Sequence, residues 1–179
     1  MHTSFRLVPE HGIIHYCRNL VAISLSYNKF VGSITKGIGS LENLELLYLG
    51  GNNLSGNIPP SEPSLGNLLR LREFYIEDYN IKGSIPSDSW HFTNLYILNF
   101  ELNDLTGTIP NNILNISSLQ GISLMENSLY GNLPLDTELS CPNLETLYLG
   151  GNKLSGHIQP DISNCSNLAQ VDFAINLTL

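Results

Sequence analysis

Cysteines, histidines, glycine pairs, carboxylates and phenols are the groups in this chain that could do chemistry, and their spacing limits what they can do. Cys17, Cys141 and Cys165 each lie three residues before a leucine (Leu20, Leu144, Leu168), an offset filled elsewhere by Leu41, Leu68, Phe92 and Ile116. They read as small buried apolar residues. Cys141 and Cys165 belong to adjacent repeats and could stack within disulfide range, but side chains projecting in parallel disfavour a strain-free bond between them. No His or second Cys stands at zinc-ligand spacing. His11 and His15 have the i, i+4 spacing of a zinc helix, yet Gly-Ile-Ile between them carries no general-base Glu. Gly50-Gly51 and Gly150-Gly151 are not followed by Gly-Lys-Ser or Gly-Lys-Thr, which excludes a phosphate loop. No Ser, His and Asp set recurs at positions that would converge. No catalytic residue, metal or cofactor is assigned.

The elements that position these groups follow from a register. Asn28, Asn52, Tyr79, Asn103, Asn127, Asn152 and Asn176 recur about every 24 residues, with one longer step from Asn52 to Tyr79, and that is the period of a leucine-rich repeat. The second unit reads Leu41, Leu44, Leu47, Leu49, Asn52, Leu54, Gly56, Ile58 and Pro59, and the fourth repeats it as Phe92, Leu95, Leu98, Phe100, Asn103, Leu105, Gly107, Ile109 and Pro110. Leu47 and Leu49 alternate along a short strand and point into a core that only stacking can complete. Each fully buried aliphatic side chain contributes about 1.5–3 kcal/mol before chain entropy is subtracted. A buried Asn can bridge successive turns with its two-sided amide, and six of the seven slots hold one. Tyr79 cannot do so, which predicts a local break in that ladder. Proline-rich Pro59–Pro63 predicts a bulge away from the sheet, and one extra residue falls near Asp136–Glu138.

Composition narrows the partners. Charged residues are 13 % and the net charge is −8, so clustered basic side chains for nucleic acid or an acidic membrane surface are lacking. Residues 1–16 read as an irregular tail and 17–179 as the repeat domain, with neither end capped. Met1–Glu10 lacks the apolar core of a secretory signal. No apolar run reaches the length that spans a bilayer, so a literal reading is a soluble chain without direct membrane contact.

The tails Leu54-Ser55-Gly56-Asn57-Ile58-Pro59, Ile81-Lys82-Gly83-Ser84-Ile85-Pro86, Leu105-Thr106-Gly107-Thr108-Ile109-Pro110 and Leu129-Tyr130-Gly131-Asn132-Leu133-Pro134 resemble the plant-specific class of leucine-rich repeats. The resemblance implies an α/β-type solenoid: a right-handed superhelix with a parallel concave β-sheet, six full repeats and a partial seventh. It further implies the inner part of a receptor-like kinase ectodomain at the outer face of the plasma membrane. Its partners would be a peptide or protein ligand and a co-receptor ectodomain, and any kinase activity would belong to another part of the parent. A soluble inhibitor of a cell-wall polygalacturonase, or a truncated remnant, stays open as an alternative. Thr35 and Gln159 depart from the unit's usual Pro.

On the concave face the register sets Tyr48 beside Tyr75 and Glu77 beside Glu101, with Asp78, Asn99, Glu126 and Tyr148 on the same side. This acidic, aromatic strip suits an extended peptide bearing a basic or amine group, because rings give rigid contact area and carboxylates accept charge-assisted bonds. Solvation alone would also place polar residues there. No Arg or Lys takes a concave position to read a free carboxylate. Four glycosylation sequons start at Asn53, Asn115, Asn164 and Asn176; Asn176 falls in the ladder and is expected to stay unmodified, with Asn115 and Asn164 the better acceptors.

Overall fold

A computed structural model describes residues 5–6, 16–59, 65–77, 80–87, 92–134 and 141–177. Seven parallel strands form one sheet in chain order: β1 (Ala22–Ser24), β2 (Leu46–Tyr48), β3 (Glu73–Tyr75), β4 (Ile97–Asn99), β5 (Gly121–Ser123), β6 (Thr146–Tyr148) and β7 (Gln170–Asp172). Each is three residues long, so only its middle residue, such as Leu47, Phe74 or Leu98, points inward between two outward neighbours. Register is unslipped throughout: Leu47 pairs with Phe74, Phe74 with Leu98, Leu98 with Ile122, and Ile122 with Leu147. Consecutive repeats thus stack like on like, and Phe74 meets Phe100 edge to face at 5.0 Å.

A second layer follows each Asn. Phe30–Gly32 pairs with Asn53–Leu54, Gly56–Asn57 with Ile81–Ser84, Ile81–Ser84 with Asp104–Thr106, and Tyr130–Gly131 with Lys153–Leu154, all parallel. Phe5–Arg6, inside the segment read as an irregular tail, pairs in parallel with Phe30–Val31. The side opposite the large sheet is built from short turns: 3-10 helices Lys36–Ser40, Leu65–Asn67 and Pro160–Asn164, and a one-turn α-helix, Asn111–Leu114. Thr35, standing where the unit has Pro, caps the first of these by accepting from the Gly37 N–H at 3.3 Å, as a helix-capping hydroxyl does. Between the layers runs one continuous core from Ile34 to Cys165.

The asparagine ladder closes the turn after each strand. Asn103 donates to the carbonyl of Ile76 one repeat back (2.6 Å) and to Phe100 and Glu101 in its own repeat, while its carbonyl accepts from Ile81 N–H at 3.2 Å. Asn52, Asn127, Asn152 and Asn176 reproduce that pattern. Asn28 bonds only to Leu25 and Ser26 of its own repeat and is exposed. Tyr79, and with it the expected break, lies outside the described residues, as do Pro60–Pro63, the insertion near Asp136–Glu138, His11 and His15.

A further ladder was not foreseen. On the turn side Asn94 donates to Leu69 O (2.8 Å), Ser118 to Leu95 O (2.7 Å), Asn143 to Ser117 O (2.8 Å) and Asn167 to Pro142 O (2.6 Å). Each donor immediately precedes the second leucine of its unit, as in Asn143-Leu144, a signal present in the sequence.

The cysteine expectation is corrected: Cys141 and Cys165 form a disulfide, with Cα atoms 4.8 Å apart, inside the ordinary range for such bonds. Parallel projection holds for side chains on sheet strands, but this column leaves the turns. Cys165 takes φ −82°, ψ 69° at the end of a 3-10 helix and is not locked into a strand's direction. Cys17 is half-buried and free.

Candidate functional site

Outward residues of the large sheet line up in three rows. Leu46, Glu73, Ile97, Gly121, Thr146 and Gln170 form the first. Ser24, Tyr48, Tyr75, Asn99, Ser123, Tyr148 and Asp172 form the second. Glu77 and Glu101 follow one position beyond. The shape of the face varies along the stack because side-chain size does. At β5 the outward residues are Gly121 and Ser123; a Cβ on Gly121 would come within 2.9 Å of both Ile97 Cδ1 and Thr146 Oγ1. At β2 and β3 two tyrosines stand up instead.

Tyr48 and Tyr75 meet edge to face with centroids 5.1 Å apart, the geometry that aromatic quadrupoles favour. Tyr48 donates its hydroxyl to Glu73 Oε2 at 2.5 Å, and Tyr96 donates to the other oxygen of the same carboxylate. Arg72 lies 5.4 Å from the Tyr96 ring centroid and 3.5 Å from Glu45 Oε2, at the margin of the face. That distance to the ring is within cation–π range. One step along, Asn99 donates to Glu77 Oε1 (2.9 Å) while its carbonyl accepts from Glu101 N–H (3.0 Å), and Ser123 donates to Glu101 Oε2 (2.9 Å). Neighbouring carboxylates are thereby held apart by amide and hydroxyl donors.

These contacts set the titration behaviour. Burial raises the Glu77 carboxyl above the ordinary carboxylate value, and the Glu101 charge adds to it. Burial also raises the Tyr48 phenol, with the bond to Glu73 second, and raises Tyr75, with Glu73 and Glu77 following. For Tyr96 the bond to Glu73 is the larger cause. The Tyr48 and Tyr96 phenols therefore stay neutral donors to Glu73.

Between the two tyrosines and the end of β1 opens a cleft of about 310 Å³. Tyr27, Tyr48 and Tyr75 wall it, Gly50 floors it, and Glu73 and Glu77 contribute the carboxylates. Gly50 leaves little room for more: a Cβ there would stand 3.2 Å from both Cβ and N of Glu77, a tight contact. Tyr27 reaches the cleft because its φ of 57° turns the chain left-handed just before Asn28, and it is 83 % exposed.

Of the residues singled out in the sequence, Tyr48, Tyr75, Glu77, Asn99 and Glu101 therefore sit together over β2–β4. Tyr148 is three strands from Tyr75, which at ordinary strand spacing is about 14 Å. It donates its hydroxyl to Gln170. Glu126 is exposed with φ 53°, and its Oε1 would be 2.6 Å from a Cβ on Gly151, so it leans toward the sixth repeat. Asp78 lies outside the described residues. Glu73, Tyr96, Arg72 and Tyr27 are part of the cluster and were missed as site residues. Tyr96 and Arg72 precede their strands and reach the face only through long side chains, whereas Glu73 was legible as an outward neighbour of Tyr75. Among the sequon residues Asn53, Asn115 and Asn164 are exposed, while Asn176 is half-buried and bonded to Leu149, Phe173 and Leu154. Among the described residues no helix is long and apolar enough to cross a membrane.

Comparison with known proteins places this geometry. The Leucine Rich Repeat family model matches residues 43–65 and 143–165. Receptor-like protein 13 of Arabidopsis thaliana is 29 % identical over 88 % of this chain and 14 % of its own length. Receptor like protein 24 of the same plant is 31 % identical over 96 % of this chain and 22 % of its own. Among solved structures, the plant peptide hormone receptor RGFR1 in complex with RGF2 superposes with TM-score 0.84 at 31 % identity, over 90 % of this chain and 25 % of that one. The Arabidopsis receptor kinase HAESA ectodomain with a peptide hormone ligand gives 0.77 at 31 % identity, over 90 % and 26 %. The chain spans about a quarter or less of each of these relatives. Repeat register, paired parallel layers and these likenesses agree: the chain is a leucine-rich repeat solenoid, similar to a stretch of plant receptor-like proteins and receptor ectodomains.

Proposed function

We propose that this chain is a non-catalytic recognition module of a plant cell-surface receptor, binding a peptide or protein on the outward face of its large sheet. The observation that carries the reading is the block of Tyr48, Tyr75, Glu77, Asn99 and Glu101 over β2–β4: rigid rings beside half-buried carboxylates on a sheet face uncovered by other described segments. Hormone-binding ectodomains among the similar structures support it. The site lies on the extracellular side of the plasma membrane, a co-receptor ectodomain joins at a neighbouring surface, and a kinase elsewhere in the signalling assembly performs the chemistry. Asn53, Asn115 and Asn164 accept glycans in this setting. The Cys141–Cys165 disulfide supports an oxidising compartment.

The test is selection of extended peptides from a random displayed library against the full chain. Binders should lose affinity on combined substitution of Tyr48, Tyr75 and Glu77 by alanine, and keep it when exposed Lys82 and Asp104 of the second layer are replaced. Selected peptides indifferent to the first set and sensitive to the second would move recognition off this face.

A further inference from the structure

We infer that the cleft walled by Tyr27, Tyr48 and Tyr75 is a pocket for one cationic side chain, Arg or Lys, of a peptide lying across β1–β3. This rests on the recognition reading above and adds the chemistry of the residue recognised.

Three phenol rings from three consecutive repeats surround one opening, and Gly50 leaves its floor bare. Such walls favour a flat or extended cation, which the negative ring faces attract. An anion would meet Glu73 and Glu77, and a neutral apolar chain would desolvate both without compensation. Glu73 already accepts two phenol hydroxyls and Glu77 one amide N–H, which orients both carboxylates and leaves each with lone pairs to spare. No cation among the described residues neutralises Glu77. Arg72, next in sequence to Glu73, is engaged by Glu45 and the Tyr96 ring. The cleft's volume of about 310 Å³ is ample for a single long side chain and small for a folded partner. Backbone on either side can run along the low outward residues of β1.

The probe is the capped pentapeptide Ac-Gly-Gly-Arg-Gly-Gly-NH2, titrated into the full chain carrying isotope-labelled tyrosines, against its uncharged citrulline counterpart. Ring signals of Tyr27, Tyr48 and Tyr75 should move with the arginine peptide, and that of Tyr148 should not. The arginine form should bind about tenfold tighter than citrulline and weaken with salt. Tyr27→Asn, which suits the left-handed backbone there, and Glu77→Gln should each weaken it several-fold, with circular dichroism reporting an intact fold. Equal binding of both peptides, or three unmoved rings, overturns the inference. Free spermidine saturating the same rings at lower concentration than the peptide overturns its assignment to a peptide side chain. Equal binding with moving rings leaves the broader reading standing; library binders that ignore the face, despite an arginine preference here, remove the broader reading alone.

Discussion

Asn152→Ala tests whether the asparagine ladder is the chief polar support of the stack. Asn152 is 7 % exposed and donates to Leu124 O (2.8 Å), Leu149 O (3.0 Å) and Gly150 O (3.3 Å), while accepting from Leu129 N–H (3.0 Å). An amide has two N–H groups, so the longest contact is shared and the substitution orphans about two carbonyls and one N–H. Each buried orphan costs roughly 1–3 kcal/mol, less where water reaches it, so about 3–5 kcal/mol is lost in all. Asn28→Ala is the internal control: the same residue at the same repeat position, exposed and bonded only within its own turn. Its loss costs under about 1 kcal/mol, as surface substitutions do. With a urea dependence of about 2 kcal/mol/M, the denaturation midpoint should fall by about 2 M for Asn152→Ala and by less than about 0.5 M for Asn28→Ala. Hydrogen exchange reads the same event locally, since the Leu129 amide loses its acceptor and should exchange faster than amides of β2. Equal midpoints for the two variants, or unchanged Leu129 protection, would show that the turns hold without the ladder.

The Glu77 carboxyl is raised by burial and by Glu101, so the fold binds the proton more tightly than the unfolded chain does; its contribution to stability falls as pH rises from the ordinary carboxylate value through the raised one. Glu77→Gln should therefore stabilise the protein at about pH 7 and have little effect near pH 4, read from urea midpoints at both; the opposite order would contradict the assigned cause. Thiol titration of the folded, unreduced protein should find one thiol, that of Cys17. Replacing Cys141 and Cys165 by serine should cost about 3 kcal/mol through the loop they close; three titrating thiols would exclude the bond. Secreted through a plant cell, the chain should carry glycans at Asn115 and Asn164 and none at Asn176, by mass spectrometry of peptides. A glycan on Asn176 would mean that its ladder slot opens.

Much of the fold was legible because the repeat constrains it several times over. Leu41, Leu44, Leu47 and Leu49 each have a counterpart in the following repeats, so period alone fixed the strands, their parallel register and the buried columns. Tyr48 beside Tyr75 and Glu77 near Glu101 came from that register. What escaped was set by side-chain reach and by local backbone. Glu73 takes hydroxyls from rings one repeat to either side, a coupling invisible to a column of outward positions. The disulfide formed where the chain leaves a turn, outside the strand geometry used to judge it. Tyr27, Leu102, Glu126 and Ile175 share a left-handed backbone with Gly51 and Gly151 just before the ladder asparagine, and only the two glycines hinted at it.

That shared conformation makes Gly51 the silent prop of an aromatic wall. A methyl group there would stand 2.7 Å from Cδ1 of Tyr27, so alanine at 51 must swing the phenol of the preceding repeat aside. A scan that swaps residues one at a time would record lost binding at a position with no side chain of its own to touch a ligand, and would credit the wrong repeat. The space that steers the ring belongs to its neighbour, so the two repeats must be redesigned as a pair.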